Sequence, residues 1–332
     1  MAAQRIRPRG AVSLADPARV DREALARALD GLPALGGVLP ELAPLPGGLT
    51  NRNYRVSLPS GVSAVARFTS GKSTLLAIDR DAEFRNATIA TRSGVGPEVL
   101  GFAPSYGVSL VEWIDGHTFA SDELDDGPTL ARIAAACARL HAGARFVNDF
   151  DMFDIQRHYL SIVRGNGYRL PARYADFEPQ VAQIRAALAV CPVATVPCHN
   201  DLLAANIMDD GERIWLIDYE YSGNNDPCFE LGNIWSEAGL GLERLEELVA
   251  AYYGRPEPAL VARARLLALM SKYGWMLWAS IQDAVSDVDF DFWAWGLEKY
   301  ERAVAEFDGP EFSRLITEVT RLDRPRGSKC SV

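Results

Sequence analysis

The chain has 332 residues, 48% of them hydrophobic and 23% charged, with a formal net charge of −10. That size and apolar share suit about two compact lobes, while the acidic balance argues against nucleic acid as a partner and suits a cationic one. Five scattered cysteines without a CxxC pair and four histidines without ligand spacing exclude a disulfide framework and a structural zinc site. The N-terminal arginines are not followed by an apolar run, and no stretch approaches bilayer-spanning length. A cytoplasmic protein without membrane insertion is therefore expected.

Residues 17–35 carry apolar side chains at helical spacing, with Asp16 as cap and Pro17 as first helical residue. After the pair Gly47-Gly48, two β-rich runs at 53–58 and 63–68 predict a hairpin turning at Pro59-Ser60-Gly61. A helix is predicted over 79–93, then short strands at 98–102 and 108–114, broken by Asp115-Gly116. Beyond that the pattern turns mostly helical: 128–142, 242–253, 257–285 and 290–308, with a strand pair at 206–208 and 213–218 around Gly211. The expected class is α+β, with a small β-rich N-lobe over 1–115, including an N-terminal helix, and a larger, mainly helical C-lobe over 116–332.

The chemistry concentrates in CHNDLLAANIMDDGERIWLIDYEYSG, residues 198–223. His199-x-Asp201 is followed four residues on by Asn206, then a turn, then an apolar strand ending at Asp218. Phosphoryl transfer needs a carboxylate to orient and deprotonate the attacking hydroxyl, oxygen ligands for magnesium, and cationic clamps on the phosphates. Asp201 fits the base, and Asn206 and Asp218 fit the magnesium ligands. The hairpin through Asp209-Asp210-Gly211 would return Asp218 to the edge where Asn206 starts.

This motif resembles the HxDxxxxN loop of the aminoglycoside phosphotransferase and choline kinase superfamily, which shares the protein-kinase-like two-lobe fold. The resemblance implies a small-molecule kinase using ATP and Mg2+, with the nucleotide between the lobes. It implies Gly47, Gly48, Thr50 and Asn51 as the loop over the phosphates, Arg67 as the phosphate clamp, and Glu83 as the helix glutamate that pairs with Arg67. Glu112, Trp113 and Ile114 take the place of the hinge that holds adenine through backbone groups. Gly71-Lys72-Ser73-Thr74 imitates the end of a Walker A loop, but Ala66 stands where that pattern requires glycine. It is read as a turn after the third strand, with a solvated lysine.

Two stretches point to the acceptor. Residues 218–237 are similar to the choline/ethanolamine kinase pattern, with Glu220 near the metal and Glu230 where the family usually has aspartate, bracing the catalytic loop with a longer arm. Residues 273–295 resemble the W-x-x-W helix pair of choline kinases. A quaternary ammonium has no N–H to donate, so it is held by charge and aromatic faces. Trp275 and Trp278 share one helix face; Trp295 and Tyr221 would complete a cage, with Glu237 as counter-charge.

The resemblance covers residues 45–305 or so and implies in-line transfer to choline or ethanolamine, a step in phospholipid-precursor metabolism, without a covalent intermediate. Three alternatives stay open: an aminoglycoside kinase or other amino-alcohol kinase, a non-catalytic ligand-binding protein on the same fold, and, for assembly, a homodimer.

Overall fold

The computed structural model describes residues 17–46, 48, 50–69 and 73–321. Asp16, Gly47, Leu49, Gly71, Lys72 and the tail from 322 lie outside the described residues. The chain divides into two compact units: residues 1–70 with 100–113, and residues 71–99 with 114–332. The 79–93 helix thus groups with the second unit rather than with the sheet that surrounds it in sequence.

The first unit holds a five-stranded sheet in the order β1-β2-β3-β5-β4, formed by β1 (Ala43–Pro44), β2 (Asn51–Ser57), β3 (Ser63–Thr69), β4 (Val99–Ala103) and β5 (Val108–Glu112). β2 and β3 form the expected antiparallel hairpin, in register from Asn51↔Thr69 to Ser57↔Ser63. Alternation along the strands turns Tyr54, Val56, Ala64, Ala66 and Phe68 into one core with Leu25 and Ala28 of α1 (Pro17–Ala28). Arg67, between two core residues, points to the other face. The helix expected over 17–35 stops at Ala28 and continues as two 3₁₀ turns, Leu29–Gly31 and Pro33–Leu35, because Pro33 has no N–H to extend the ladder. Asp21 fastens α1 to the sheet: it accepts from Arg52 twice at 2.7 Å and from the Tyr54 hydroxyl at 2.9 Å. Burial, with Asp21 beside it, pushes the Tyr54 phenol up to about 12.

The second unit is built on α2 (Arg80–Arg92), α3 (Gly127–His141), α4 (Met152–Asn166), α5 (Glu178–Val190), α6 (Pro227–Glu237), α7 (Leu242–Tyr253), α8 (Pro258–Val285), α9 (Phe292–Phe307) and α10 (Glu311–Thr320). Short strands β6 (His117–Thr118), β8 (Ile207–Asp209) and β9 (Ile214–Leu216) form one small sheet, and β7 (Val196–Cys198) pairs with β10 (Gly223–Asn225) in another. α8 is buried nearly all round from Val261 to Gln282, the mark of a central helix, and packs on α4, α6, α9 and α10. At Gly296 a side chain would strike Ala279, its Cβ 2.3 Å away. That close approach lets α9 lie on α8 and brings Trp295 against Trp278. No helix among the described residues is long and apolar enough to cross a membrane.

Candidate active site

The loop after β7 carries His199, Asn200 and Asp201, and its shape follows from the first two. Asn200 has φ +68, left-handed geometry that asparagine tolerates better than most residues. Its buried side chain donates to the carbonyls of Cys198 (3.2 Å), Tyr221 (3.1 Å) and Gly223 (3.2 Å) and accepts from Asn225 Nδ2 (2.9 Å). The loop is thereby tied to the segment that follows Asp218. His199 Nε2 lies 2.7 Å from the Ile217 carbonyl, which can only accept, so Nε2 carries the proton. That leaves Nδ1 facing the Asp201 amide at 3.4 Å.

Glu230 of α6 braces the same loop from below. Its Oε1 accepts from His199 N at 2.9 Å and its Oε2 from Asn200 N at 2.7 Å. His141 Nε2 lies 3.3 Å from Oε1, and His141 Nδ1 lies 2.7 Å from the Tyr252 hydroxyl. Burial works to raise the Glu230 carboxyl, but the bond and charge of His141, with His199 adding to them, hold it below the ordinary range.

Asn206 and Asp218 meet across a fixed hairpin. Asp210 closes the turn by accepting from Glu212 N (2.8 Å), Arg213 N (2.7 Å) and Trp215 Nε1 (2.7 Å). Ile217 N then donates to Asn206 O at 3.0 Å, which sets Asp218 beside Asn206. Asp218 itself has φ +72, a strained conformation for a side chain other than glycine. Asn206 Nδ2 donates to the Asp201 carbonyl at 2.8 Å and lies 3.5 Å from its carboxylate. Asp201, Asn206 and Asp218, the outer two seventeen positions apart in sequence, are thus brought together. Burial pushes the Asp201 carboxyl well up, helped by the charges of Asp218, Glu220 and Glu237 and opposed by Lys299.

Arg80 was not singled out in the sequence, yet it bridges two expected site residues. Its Nη1 lies 2.6 Å from Glu83 and 3.1 Å from Glu220, whose side chain is 4% exposed. Within the second unit Glu83 is therefore already in an ion pair. The i,i+3 spacing of Arg80 and Glu83 was the legible signal.

The four expected cage rings form one cluster. Trp278 Nε1 donates to the Tyr221 hydroxyl at 2.8 Å. Tyr221 and Trp275 meet edge-on with centres 5.0 Å apart, and Trp278 and Trp295 do so at 5.4 Å. Burial pushes the Tyr221 phenol well up, with Tyr159, Glu220 and Asp201 adding to the effect. Glu237 is also present, but its Oε2 is occupied by Lys299 of α9. Lys299 went unread in the sequence, although Trp295-x-x-x-Lys299 is the helical spacing that lays an ammonium on a ring.

In the first unit, Gly48 has φ +90, and a Cβ there would lie 2.7 Å from the Asn51 carbonyl, so only glycine fits. Asn51 is buried and donates to Thr50 Oγ1 at 3.0 Å. Glu112 ends β5 opposite Ala64. The Arg55 guanidinium covers the Trp113 ring at 4.2 Å. Ile114 is buried and groups with the second unit.

The family model described as choline/ethanolamine kinase matches residues 42–247. Protein LicA of Haemophilus influenzae is 28% identical over 249 residues, 71% of this chain and 72% of that protein. Ethanolamine kinase 2 of Mus musculus is 26% identical over 285 residues, 77% of this chain and 71% of that protein. The crystal structure of a choline/ethanolamine kinase family protein from Mesorhizobium loti superposes with a TM-score of 0.76 at 33% identity, covering 90% of this chain and 99% of that one.

Proposed function

The chain belongs to the choline/ethanolamine kinase family, and on that premise we propose that it transfers the γ-phosphoryl group of ATP, with Mg2+, to the hydroxyl of choline or ethanolamine. Asp201 orients the acceptor hydroxyl and takes its proton as the new phosphorus–oxygen bond forms. Asn206 and Asp218, with Glu220 beside them, would hold Mg2+, which when bound neutralises charge on the phosphates. The donor set suits that ion: all three offer hard oxygens, and the Asn206 amide nitrogen is committed to Asp201, which leaves its oxygen to ligate. Arg67 clamps phosphates, assisted by Gly47, Gly48, Thr50 and Asn51, with Glu83 as its helix partner. Glu112, Trp113 and Ile114 receive the base. The rings of Tyr221, Trp275, Trp278 and Trp295 take the ammonium end and so aim the hydroxyl at Asp201.

The observation that carries this reading is the convergence of Asp201, Asn206 and Asp218 beside the aromatic cluster, fixed by the backbone bonds of His199, Asn200 and Ile217. The test is magnesium-dependent turnover of ATP by the purified chain with choline, ethanolamine and kanamycin in parallel, with Asp201→Asn as the blank. Turnover of either amino alcohol that Asp201→Asn loses is expected. Turnover of kanamycin alone would keep the mechanism and overturn the acceptor; no turnover with any of the three would overturn the reading.

A further inference from the structure

Glu237 is the expected counter-charge for an acceptor's ammonium, yet the protein supplies a cation of its own. Lys299 Nζ donates to Glu237 Oε2, and the two side chains are only 8% and 4% exposed. The same Nζ lies 4.3 Å from the centre of the Trp295 ring. One ring of the cluster therefore already carries an ammonium. The other carboxylate oxygen, Glu237 Oε1, is buried and has no hydrogen-bond partner. The pair stands at the aromatic cluster rather than in a remote core, because the Trp295 ring under Lys299 meets Trp278, which in turn donates to the Tyr221 hydroxyl.

We propose that Lys299 selects among ammonium acceptors: by occupying one oxygen of Glu237 and the face of Trp295, it makes the site favour a fully substituted ammonium over one bearing N–H groups. This rests on the amino-alcohol kinase reading above. A primary ammonium arrives with three N–H donors and pays heavily for its lost water unless acceptors replace it. Beside Lys299 it finds one carboxylate oxygen, whose charge is already shared. A quaternary ammonium donates nothing. It is held by ring faces and diffuse charge, and Lys299 leaves the rings of Trp275, Trp278 and Tyr221 untouched.

The experiment is steady-state kinetics with choline and ethanolamine on wild type, Lys299→Met, Lys299→Arg and the double variant Lys299→Met/Glu237→Gln. Lys299→Met frees both oxygens of Glu237. It is expected to raise the ratio of kcat/KM for ethanolamine to that for choline about tenfold, the worth of one charge-assisted hydrogen bond. Lys299→Arg keeps the ion pair and is expected to hold the wild-type ratio. The double variant is expected to lose the gain. Lys299→Met strands a buried carboxylate and can fail to fold; Lys299→Gln keeps a donor on Glu237 but removes the competing charge and takes the cation off the Trp295 ring, so a smaller rise in the same ratio is expected from it. An unchanged ratio in a folded Lys299→Met or Lys299→Gln, or an equal rise in the double variant, overturns the proposal. Wild-type protein silent on both alcohols overturns the choline-or-ethanolamine reading of the acceptor instead.

Discussion

The Glu230 carboxylate holds the backbone amide of Asn200 at 2.7 Å while its other oxygen holds that of His199 at 2.9 Å, so a single side chain on α6 fixes the two residues before Asp201. Removing it leaves two buried N–H groups unpaired. Glu230→Ala is expected to cost about 2–5 kcal/mol of stability and most of the turnover, with Glu230→Gln intermediate. The pH dependence has a definite sign. The folded-state carboxyl lies below its ordinary value of 4.5. Its contribution is therefore complete above that value and is lost as pH falls through the lower folded-state one. The gap in stability between wild type and Glu230→Gln should narrow on acidification through that window, as read by urea melts at stepped pH.

Asn200 tests the loop from within. Its left-handed φ and its bonds to Cys198, Tyr221, Gly223 and Asn225 are separable by two substitutions. Asn200→Gly relieves the backbone and loses the bonds; Asn200→Ala loses the bonds and adds strain of about 1 kcal/mol or more. Thermal melts should rank wild type above glycine and glycine above alanine. Equal melting of the two variants would mean that the side-chain bonds alone shape the loop.

The chain's organisation was readable where local rules decide it. The β2–β3 hairpin, the strand pair around Gly211 and the long helix α8 follow from alternation, turn residues and apolar runs. The metal-and-base trio was readable because its members share one segment of twenty-one residues, 198–218. Helices α4, α5, α6 and α10 were not individually expected. α5 shows why: its apolar residues make no clear stripe, and its burial rests on packing by distant segments. The partners that set the site's charges were also missed, since Arg80 to Glu220 and Lys299 to Glu237 span 140 and 62 residues. Nothing local announces such pairs.

Asp201→Asn keeps the shape of the side chain and removes its ability to take a proton. Turnover should fall by about 10²–10⁴-fold, the usual worth of a general base. ATP binding, followed by calorimetry, should remain, because Asp201 is placed to face the acceptor. A variant that lost nucleotide binding to the same degree as turnover would move Asp201 into the metal set.

Three cysteines provide a check on packing that does not depend on catalysis. Cys137, Cys198 and Cys228 are buried, and burial pushes each thiol up. A raised thiol has less thiolate at any given pH and reacts more slowly. In native protein these three should resist an alkylating reagent at pH 8 and react after denaturation, with mass spectrometry assigning each site. Early labelling of Cys198 would mean that the strand leading into the catalytic loop opens readily.

Trp278 separates the aromatic faces from the hydrogen bond they rest on. The ring touches Trp295 and Phe292 and donates Nε1–H to the Tyr221 hydroxyl. Trp278→Phe keeps an aromatic face but leaves that hydroxyl without its donor; Trp278→Ala removes both. A ring beside a desolvated cation contributes ~0.5–2 kcal/mol. Trp278→Ala should therefore raise the KM for choline by roughly two- to thirtyfold, with a smaller change in kcat and in the KM for ATP. Trp278→Phe should recover most of the choline affinity if the ring face is what matters, and little of it if the orientation of Tyr221 is what matters. A folded Trp278→Ala with an unchanged choline KM would make the cluster a piece of core, and the ammonium would have to be recognised by the carboxylates around Asp201.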